Sequence, residues 1–132
     1  MSNLEFYTTL SGLWIALCWL PYILDRIAVR GLMGALANYD PDAIPQSAWA
    51  QRAMRAHTVA VQAFVVFGPL AVLASIRMPD DSYPGVLAMT FFIGIVAHYV
   101  IYCFGIPVLR TLAFALASLS SVGLAVHLLG LF

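Results

Sequence analysis

Four long apolar segments constrain the fold of this chain more than any other feature. They cover residues 6–24, about 52–76, about 83–106 and about 109–132. A helix of about twenty apolar residues crosses the hydrocarbon core of a bilayer. Within lipid, only helices and closed barrels satisfy their own backbone hydrogen bonds. Because the segments are continuously apolar rather than alternating, the sequence predicts four transmembrane helices.

The composition agrees with a membrane location. Hydrophobic residues make up 63% of the chain and charged residues only 9%, whereas soluble domains carry about 25% charged residues. A soluble chain of 132 residues could not bury so much apolar surface in a core of its own. We therefore expect an all-α protein in which residues 1–132 form one domain, a four-helix transmembrane bundle surrounded by membrane lipids.

The connections between the segments set the expected topology. Residues 25–50 are predicted to form one long connection, residues 77–85 a short acidic turn, and GIP at 105–107 a tight break. Five of the six arginines flank the first and third connections. The positive-inside rule then places these two connections in the cytoplasm and both termini in the periplasm.

Several classes of function are disfavoured by what the sequence lacks. The formal net charge is zero, which argues against a nucleic-acid partner. No HExxH, CxxC or glycine-rich phosphate motif is present, so no metal site is predicted. No charged residue is expected deep within a span, which argues against an ion or proton carrier. Cys18 and Cys103 lie in apolar runs and are predicted to be packed thiols rather than a disulfide.

The stretch RAMRAHTVAVQAF, residues 52–64, carries two arginines at the start of an apolar segment. Arg52, Arg55, Val59 and Gln62 follow a three–four–three spacing and share one helix face. Since the planar donors of arginine match a carboxylate, this face is a candidate site for an anionic ligand. The alternative is that both arginines extend to lipid headgroups and set the topology.

A second polar group is predicted at the end of the third span. His98 and Tyr102 are four residues apart and lie on one face. The hydroxyl of Tyr102, costly in a span unless bonded, either satisfies a neighbouring helix or donates to a reacting atom. The polar residues expected to converge at one membrane face are Arg26, Arg30, Arg52, Arg55, His57, Tyr102 and Arg110.

Other polar and aromatic residues near the ends of the predicted spans suggest no chemistry. Tyr22, Trp49 and Tyr83 fall where an interfacial aromatic belt is expected and are predicted to anchor at lipid headgroups. His127 stands alone in AVHLLG. It is predicted to lie at the interface opposite the arginines and to have no function.

Taken together, these motifs resemble the MAPEG family, the membrane-associated proteins of eicosanoid and glutathione metabolism. The resemblance covers nearly the whole chain and implies a four-helix bundle that assembles as a homotrimer, here in the bacterial inner membrane. The stretches that carry it are PYILDRIAVRG, SAWAQRAMRAH, VVFGPLAVLA and AHYVIYCFGIPVLRTLAF.

The resemblance also implies an activity and residue roles. Family members with known activity bind glutathione between subunits, activate its thiol, and transfer it to a lipophilic electrophile or reduce a lipid hydroperoxide. By position, Arg55 would bind a glutathione carboxylate, and Arg110 would stabilise the thiolate with Tyr102 beside it. The other positions implied in glutathione binding are Arg26, Arg30, Arg52, His57, Gln62, His98 and Thr111.

One segment departs from the family pattern Arg-Ala-His-x-Asn-x-x-Glu. Val59 stands at the asparagine position, Gln62 at the glutamate position, and Ala63 follows. The missing carboxylate would pair with the ammonium group of the ligand, and a charge-assisted hydrogen bond is worth about 1.5–3 kcal/mol. Two functions therefore stay open: a glutathione-dependent enzyme, and a non-catalytic structural or accessory subunit of a larger membrane complex.

Overall fold

The computed structural model describes residues 1–132 and is entirely helical. Helices α1 and α2 are separated only by Cys18 and together form one span, Asn3–Leu36. Every span is long and apolar enough to cross a membrane, so the predicted four-helix transmembrane fold is confirmed. The helices are α1 Asn3–Leu17, α2 Trp19–Leu36, α3 Ala48–Arg77, α4 Tyr83–Cys103 and α5 Pro107–Leu128.

The junction of α1 and α2 is held from a neighbouring helix. Pro21 has no backbone N–H and cannot donate to the carbonyl of Leu17, so the regular helical ladder is interrupted here. The hydroxyl of Tyr99, in α4, donates to the carbonyl oxygen of Cys18 at 2.8 Å. This bond satisfies a backbone acceptor at the junction and fixes α1–α2 against α4.

The predicted connection at residues 25–50 is too long at both ends, since α3 already begins at Ala48. Helix α2 continues to Leu36, so only residues 37–47 form the connection. The prediction placed the boundary where hydropathy falls, which is where the chain leaves lipid. A helix ends only where its backbone hydrogen bonds end, so it can continue beyond that point. Gly31, at φ 73°, is the one interruption of the helical backbone in this stretch.

Small residues allow the helices to pack closely. A stripe of buried alanines runs along α3, and small residues at such contacts let neighbouring backbones approach in membrane proteins. Gly94 of α4 lies against the backbone of α5: a Cβ there would meet the nitrogen of Ala117 at 2.9 Å. The rings of Phe67 and Phe91 stack with centroids 4.2 Å apart and fill the centre of the bundle.

The bundle has two ends of different chemistry. The arginine end consists of the end of α2, the start of α3, the end of α4 and the start of α5. At the opposite end, Nε2 of His127 contacts Oδ2 of Asp81 at 2.6 Å, and its Nδ1 contacts the carbonyl of Phe132 at 2.8 Å. The hydrogen bond from His127 lowers the pKa of Asp81 below its ordinary value. His127 is therefore part of a local network that joins α5 to the α3–α4 loop.

Two smaller predictions have different outcomes. Cys18 is buried, Cys103 is half-buried, and both are free, which confirms the prediction of packed thiols. The ring of Tyr83 packs edge-on against His127 with centroids 4.8 Å apart, and its role as a headgroup anchor stays a prediction. Tyr83 therefore contributes to the network at the end of α5.

Candidate functional site

Arg52 joins the start of α3 to the end of α4. Its Nε and Nη2 donate to the carbonyl oxygen of Cys103 at 3.1 and 2.9 Å. The last carbonyls of a helix have no partner within it and form the negative end of its dipole, so a guanidinium is well suited there. Gly105, at φ 76°, has no side chain to obstruct the contact, since a Cβ would lie 3.4 Å from Cζ of Arg52.

Arg55 differs from Arg52 although both were predicted on one face. It is exposed and has no ion pair within the chain. Its guanidinium is therefore open to a ligand or a lipid headgroup, whereas Arg52 has committed two donors to Cys103.

This contrast predicts that two matched substitutions change the free energy of unfolding by unequal amounts. Arg52→Gln is expected to lower the free energy of unfolding by about 1.5–3 kcal/mol, because it removes hydrogen bonds from a charged donor. Arg55→Gln is expected to change it by less than about 0.5 kcal/mol, as for an ordinary surface substitution. Denaturation in detergent micelles measures both. Equal losses of unfolding free energy in the two variants would contradict the conclusion that Arg52 stabilises the contact between α3 and α4.

Tyr22 and His57 join α2 to α3. The hydroxyl oxygen of Tyr22 lies 2.7 Å from Nδ1 of His57, and the ring centroids are 5.8 Å apart. Ala53 and Ala56 are fully buried beside them, and their small side chains leave room for the larger rings. The prediction of Tyr22 as a headgroup anchor therefore gives way to an internal contact.

A buried acid also lies between α2 and α3. Asp25 is 8% exposed, and its Oδ2 accepts hydrogen bonds from Nε2 of Gln46 at 3.3 Å and from the backbone N–H of Ser47 at 3.1 Å. The carboxylate faces the positive end of the α3 dipole. Sequence reasoning missed this residue, and no local pattern signals its burial, because its partners are 21 and 22 positions away in the chain.

His98, Tyr102 and Arg110 form a contiguous group between α4 and α5. The rings of His98 and Tyr102 meet edge to face with centroids 5.5 Å apart. Cζ of Arg110 lies 4.2 Å from the centroid of the Tyr102 ring, a cation–π contact. His98 is buried and Arg110 is half-buried. Because Arg110 has no ion pair within the chain, its N–H donors can still bind an anion.

An apolar cluster contacts both the Tyr22–His57 pair, through Tyr22, and the group of His98, Tyr102 and Arg110, through Tyr102. Cys18, Ala53, Ala56 and Tyr99 form this cluster, and both Tyr22 and Tyr102 pack against it. Tyr22 of α2 and Tyr102 of α4 are thus linked through one apolar patch, and the convergence of the other predicted site residues stays a prediction.

Four of the predicted site residues have other local roles or no partner. Arg30 donates from Nε to the carbonyl of Ile44 at 2.7 Å and so holds the α2–α3 connection. Nε of Arg26 is buried and has no hydrogen-bond partner. The hydroxyl of Thr111 donates to the carbonyl of Pro107 in its own helix at 3.1 Å. Gln62 is exposed and lies further along α3.

Gln62 lines a mostly apolar cavity between α3 and α5. The cavity has a volume of about 350 Å³, and Val59, one turn nearer the start of α3, is half-buried. The residues that line the cavity are Gln62, Ala63, Val66, Leu70, Phe114, Ser118, Ser121, Val122 and Ala125. No carboxylate of this chain lines the cavity. Gln62, at the glutamate position of the family pattern, therefore faces mostly apolar surroundings.

Comparisons with known proteins agree with this arrangement. No curated protein matches the chain. The MAPEG family matches residues 4–130 of the 132 residues, a range that includes all helical residues except Asn3 and every residue of the arginine end. The sequence resemblance carried by the arginine, histidine and tyrosine motifs is thereby confirmed. This multi-pass membrane protein belongs to the MAPEG family.

Proposed function

We propose that this protein is a glutathione-dependent transferase or peroxidase of the bacterial inner membrane, acting on lipophilic electrophiles or lipid hydroperoxides. The observation that carries the proposal is the state of Arg110. Its guanidinium lies 4.2 Å from the ring centroid of Tyr102 and has no acidic partner in the chain. A half-buried cation of this kind is suited to hold an anion.

Arg55 supports the same proposal at the surface of the arginine end. Glutathione carries two carboxylates, and arginine binds a carboxylate through parallel N–H donors. Arg55 is exposed, and the unpaired Nε of Arg26 adds positive charge from α2. These residues fit the anionic groups of glutathione, and both termini would then lie in the periplasm, away from the arginine end.

The chemistry assigned to each residue follows from charge. Glutathione supplies a thiol that can add to an electrophile or reduce a hydroperoxide. In this chain, Arg110 would hold the sulfur as the thiolate, because a neighbouring guanidinium lowers the pKa of a thiol. Tyr102 would orient the guanidinium through its ring face, and His98, packed against Tyr102, would limit the movement of that ring.

The proposal includes assembly as a homotrimer with the site between adjacent subunits. Arg55 and Gln62 are both exposed on α3, so a ligand on this face would also contact whatever covers it. A second copy of the chain would complete such a site. We expect native mass spectrometry of the detergent-solubilised protein to give the mass of three chains.

A second function is favoured by the composition of the α3–α5 cavity. Gln62 and Ala63 line a largely apolar space, and Asp25 is already bonded to Gln46 and Ser47. No carboxylate lines this cavity to replace the missing glutamate. This favours a non-catalytic scaffold that serves as a structural or accessory subunit. Such a subunit is expected to purify with foreign chains in place of two further copies of itself.

Calorimetry with reduced glutathione tests the proposed function. We expect the unaltered protein in detergent to bind, and the Val59→Asn/Gln62→Glu variant to bind about tenfold to a hundredfold more tightly, since it regains a charge-assisted bond. Arg55→Gln in the unaltered background is the matched control and should weaken binding. If only the double variant binds, the scaffold function is correct and the enzymatic proposal fails.

A further inference from the structure

Tyr22 has one hydrogen-bond partner for its side chain, His57. Its hydroxyl oxygen lies 2.7 Å from Nδ1 of His57 and makes no other hydrogen bond within the chain. A phenolic hydroxyl carries one proton, and a partly buried hydroxyl loses free energy if that proton has no acceptor. Nδ1 of His57 is the acceptor within the chain that contacts this hydroxyl, so the proton of Tyr22 is satisfied without water when Tyr22 donates.

This direction determines where neutral His57 carries its proton. A neutral imidazole has one N–H donor and one acceptor nitrogen, and the hydrogen bond at one nitrogen sets the state of the other. With Nδ1 accepting from Tyr22, the proton lies on Nε2. Since the recorded side-chain contact of His57 is at Nδ1, the Nε2–H is a donor that the chain itself does not use.

The position of Tyr22 is fixed from its backbone. Its carbonyl oxygen accepts a hydrogen bond from Nε2 of Gln46 at 2.7 Å, and the same amide donates to Asp25 at 3.3 Å. Asp25 also accepts from the backbone of Ser47. These bonds fix the backbone of α2 at Tyr22 against the start of α3, which keeps the Tyr22 ring within reach of His57.

We propose that Tyr22 is a positioning residue that fixes the tautomer of His57, so that His57 presents an N–H donor at Nε2 to an acceptor oxygen of the bound ligand. The identity of that ligand rests on the proposed function, whereas the tautomer depends only on the pair itself. His57 lies two residues after the exposed Arg55 in α3, so their side chains leave the helix on different faces, both at the end of the bundle that would receive the anionic groups of glutathione.

Nitrogen NMR tests the tautomer without any ligand. The full-length protein is labelled with ¹⁵N at histidine and studied in detergent at alkaline pH, with His57→Gln identifying the His57 signals. We expect one protonated nitrogen, Nε2, in the unaltered protein and a mixture of tautomers in Tyr22→Phe, which keeps the ring but removes the hydroxyl. Tyr83→Phe, at the opposite end of the bundle, should leave the spectrum of His57 unchanged. Identical His57 signals in the unaltered protein and Tyr22→Phe would overturn the proposal.

Calorimetry with reduced glutathione then tests the positioning role. Tyr22→Phe is expected to weaken binding about twofold to tenfold, the range for one lost neutral hydrogen bond. In a His57→Gln background the same change should have no further effect, because Tyr22 acts through His57. Mixed tautomers with unchanged affinity would overturn the positioning role. If the unaltered protein does not bind glutathione, the proposed function fails, and the NMR comparison still decides the tautomer.

Discussion

Arg110→Ala is expected to lower glutathione-dependent turnover by about tenfold to a hundredfold. The guanidinium of Arg110 lies over the ring of Tyr102 and has no competing acid within the chain. Removing it takes away a charge-assisted contact to the developing thiolate, worth about 1.5–3 kcal/mol. The measurement is turnover of a lipophilic electrophile, together with the ultraviolet absorbance of the enzyme-bound thiolate.

Two variants make this prediction specific. Arg110→Lys retains the charge but not the planar donors, so it should recover part of the turnover. Arg77→Ala removes an exposed arginine at the opposite end of the bundle and should leave both turnover and thiolate absorbance unchanged. Full turnover in Arg110→Ala would exclude Arg110 from thiolate stabilisation and favour the scaffold function.

Gly94→Ala is expected to have the largest effect on stability, a loss of about 2–3 kcal/mol. The new Cβ would lie 2.9 Å from the nitrogen of Ala117 and 3.1 Å from the carbonyl oxygen of Ala113. These are backbone atoms of α5, so relief requires that α4 and α5 move apart, and overpacking of this kind costs about 1–3 kcal/mol. Denaturation of the purified protein in detergent measures the loss.

Gly12→Ala is the matched control for this prediction. The nearest atom to a Cβ at Gly12 is Cζ of Phe64 at 4.0 Å, an ordinary van der Waals distance. Alanine also has a higher helix propensity than glycine, by about 1 kcal/mol. Gly12→Ala should therefore be neutral or stabilising. If Gly94→Ala were equally stable, the close approach of α4 to α5 would be wrong.

The sequence predicts the spans of this protein better than the ends of its helices. Mean hydropathy locates each crossing because the solvent, lipid, is the same along its length. The short break at GIP was also predicted correctly, since proline begins α5 directly after it. The helical residues 25–36 were assigned to a connection because charged residues indicate departure from lipid and say little about backbone hydrogen bonds.

The candidate site was predictable only where its residues are close in sequence. His98 and Tyr102 are one turn apart and were expected on one face, as found. The contact between Tyr22 and His57 joins residues 35 positions apart, and no local pattern indicates it. Asp25 could not be predicted as buried, because its burial depends on Gln46 and Ser47 folding back onto α2.

The unequal lengths of the helices determine how the protein sits in a bilayer. Helices α4 and α5 have 21 and 22 residues, which matches a hydrocarbon core of about 30 Å at about 1.5 Å per residue. The span Asn3–Leu36 has 34 residues and is much longer than that core requires. Asp25 bonds to the start of α3, and residues 26–30 continue as a helix for about 8 Å before the backbone changes direction at Gly31. The first span is therefore longer than a straight crossing of the hydrocarbon core requires, and its surplus residues lie at the arginine end of the bundle.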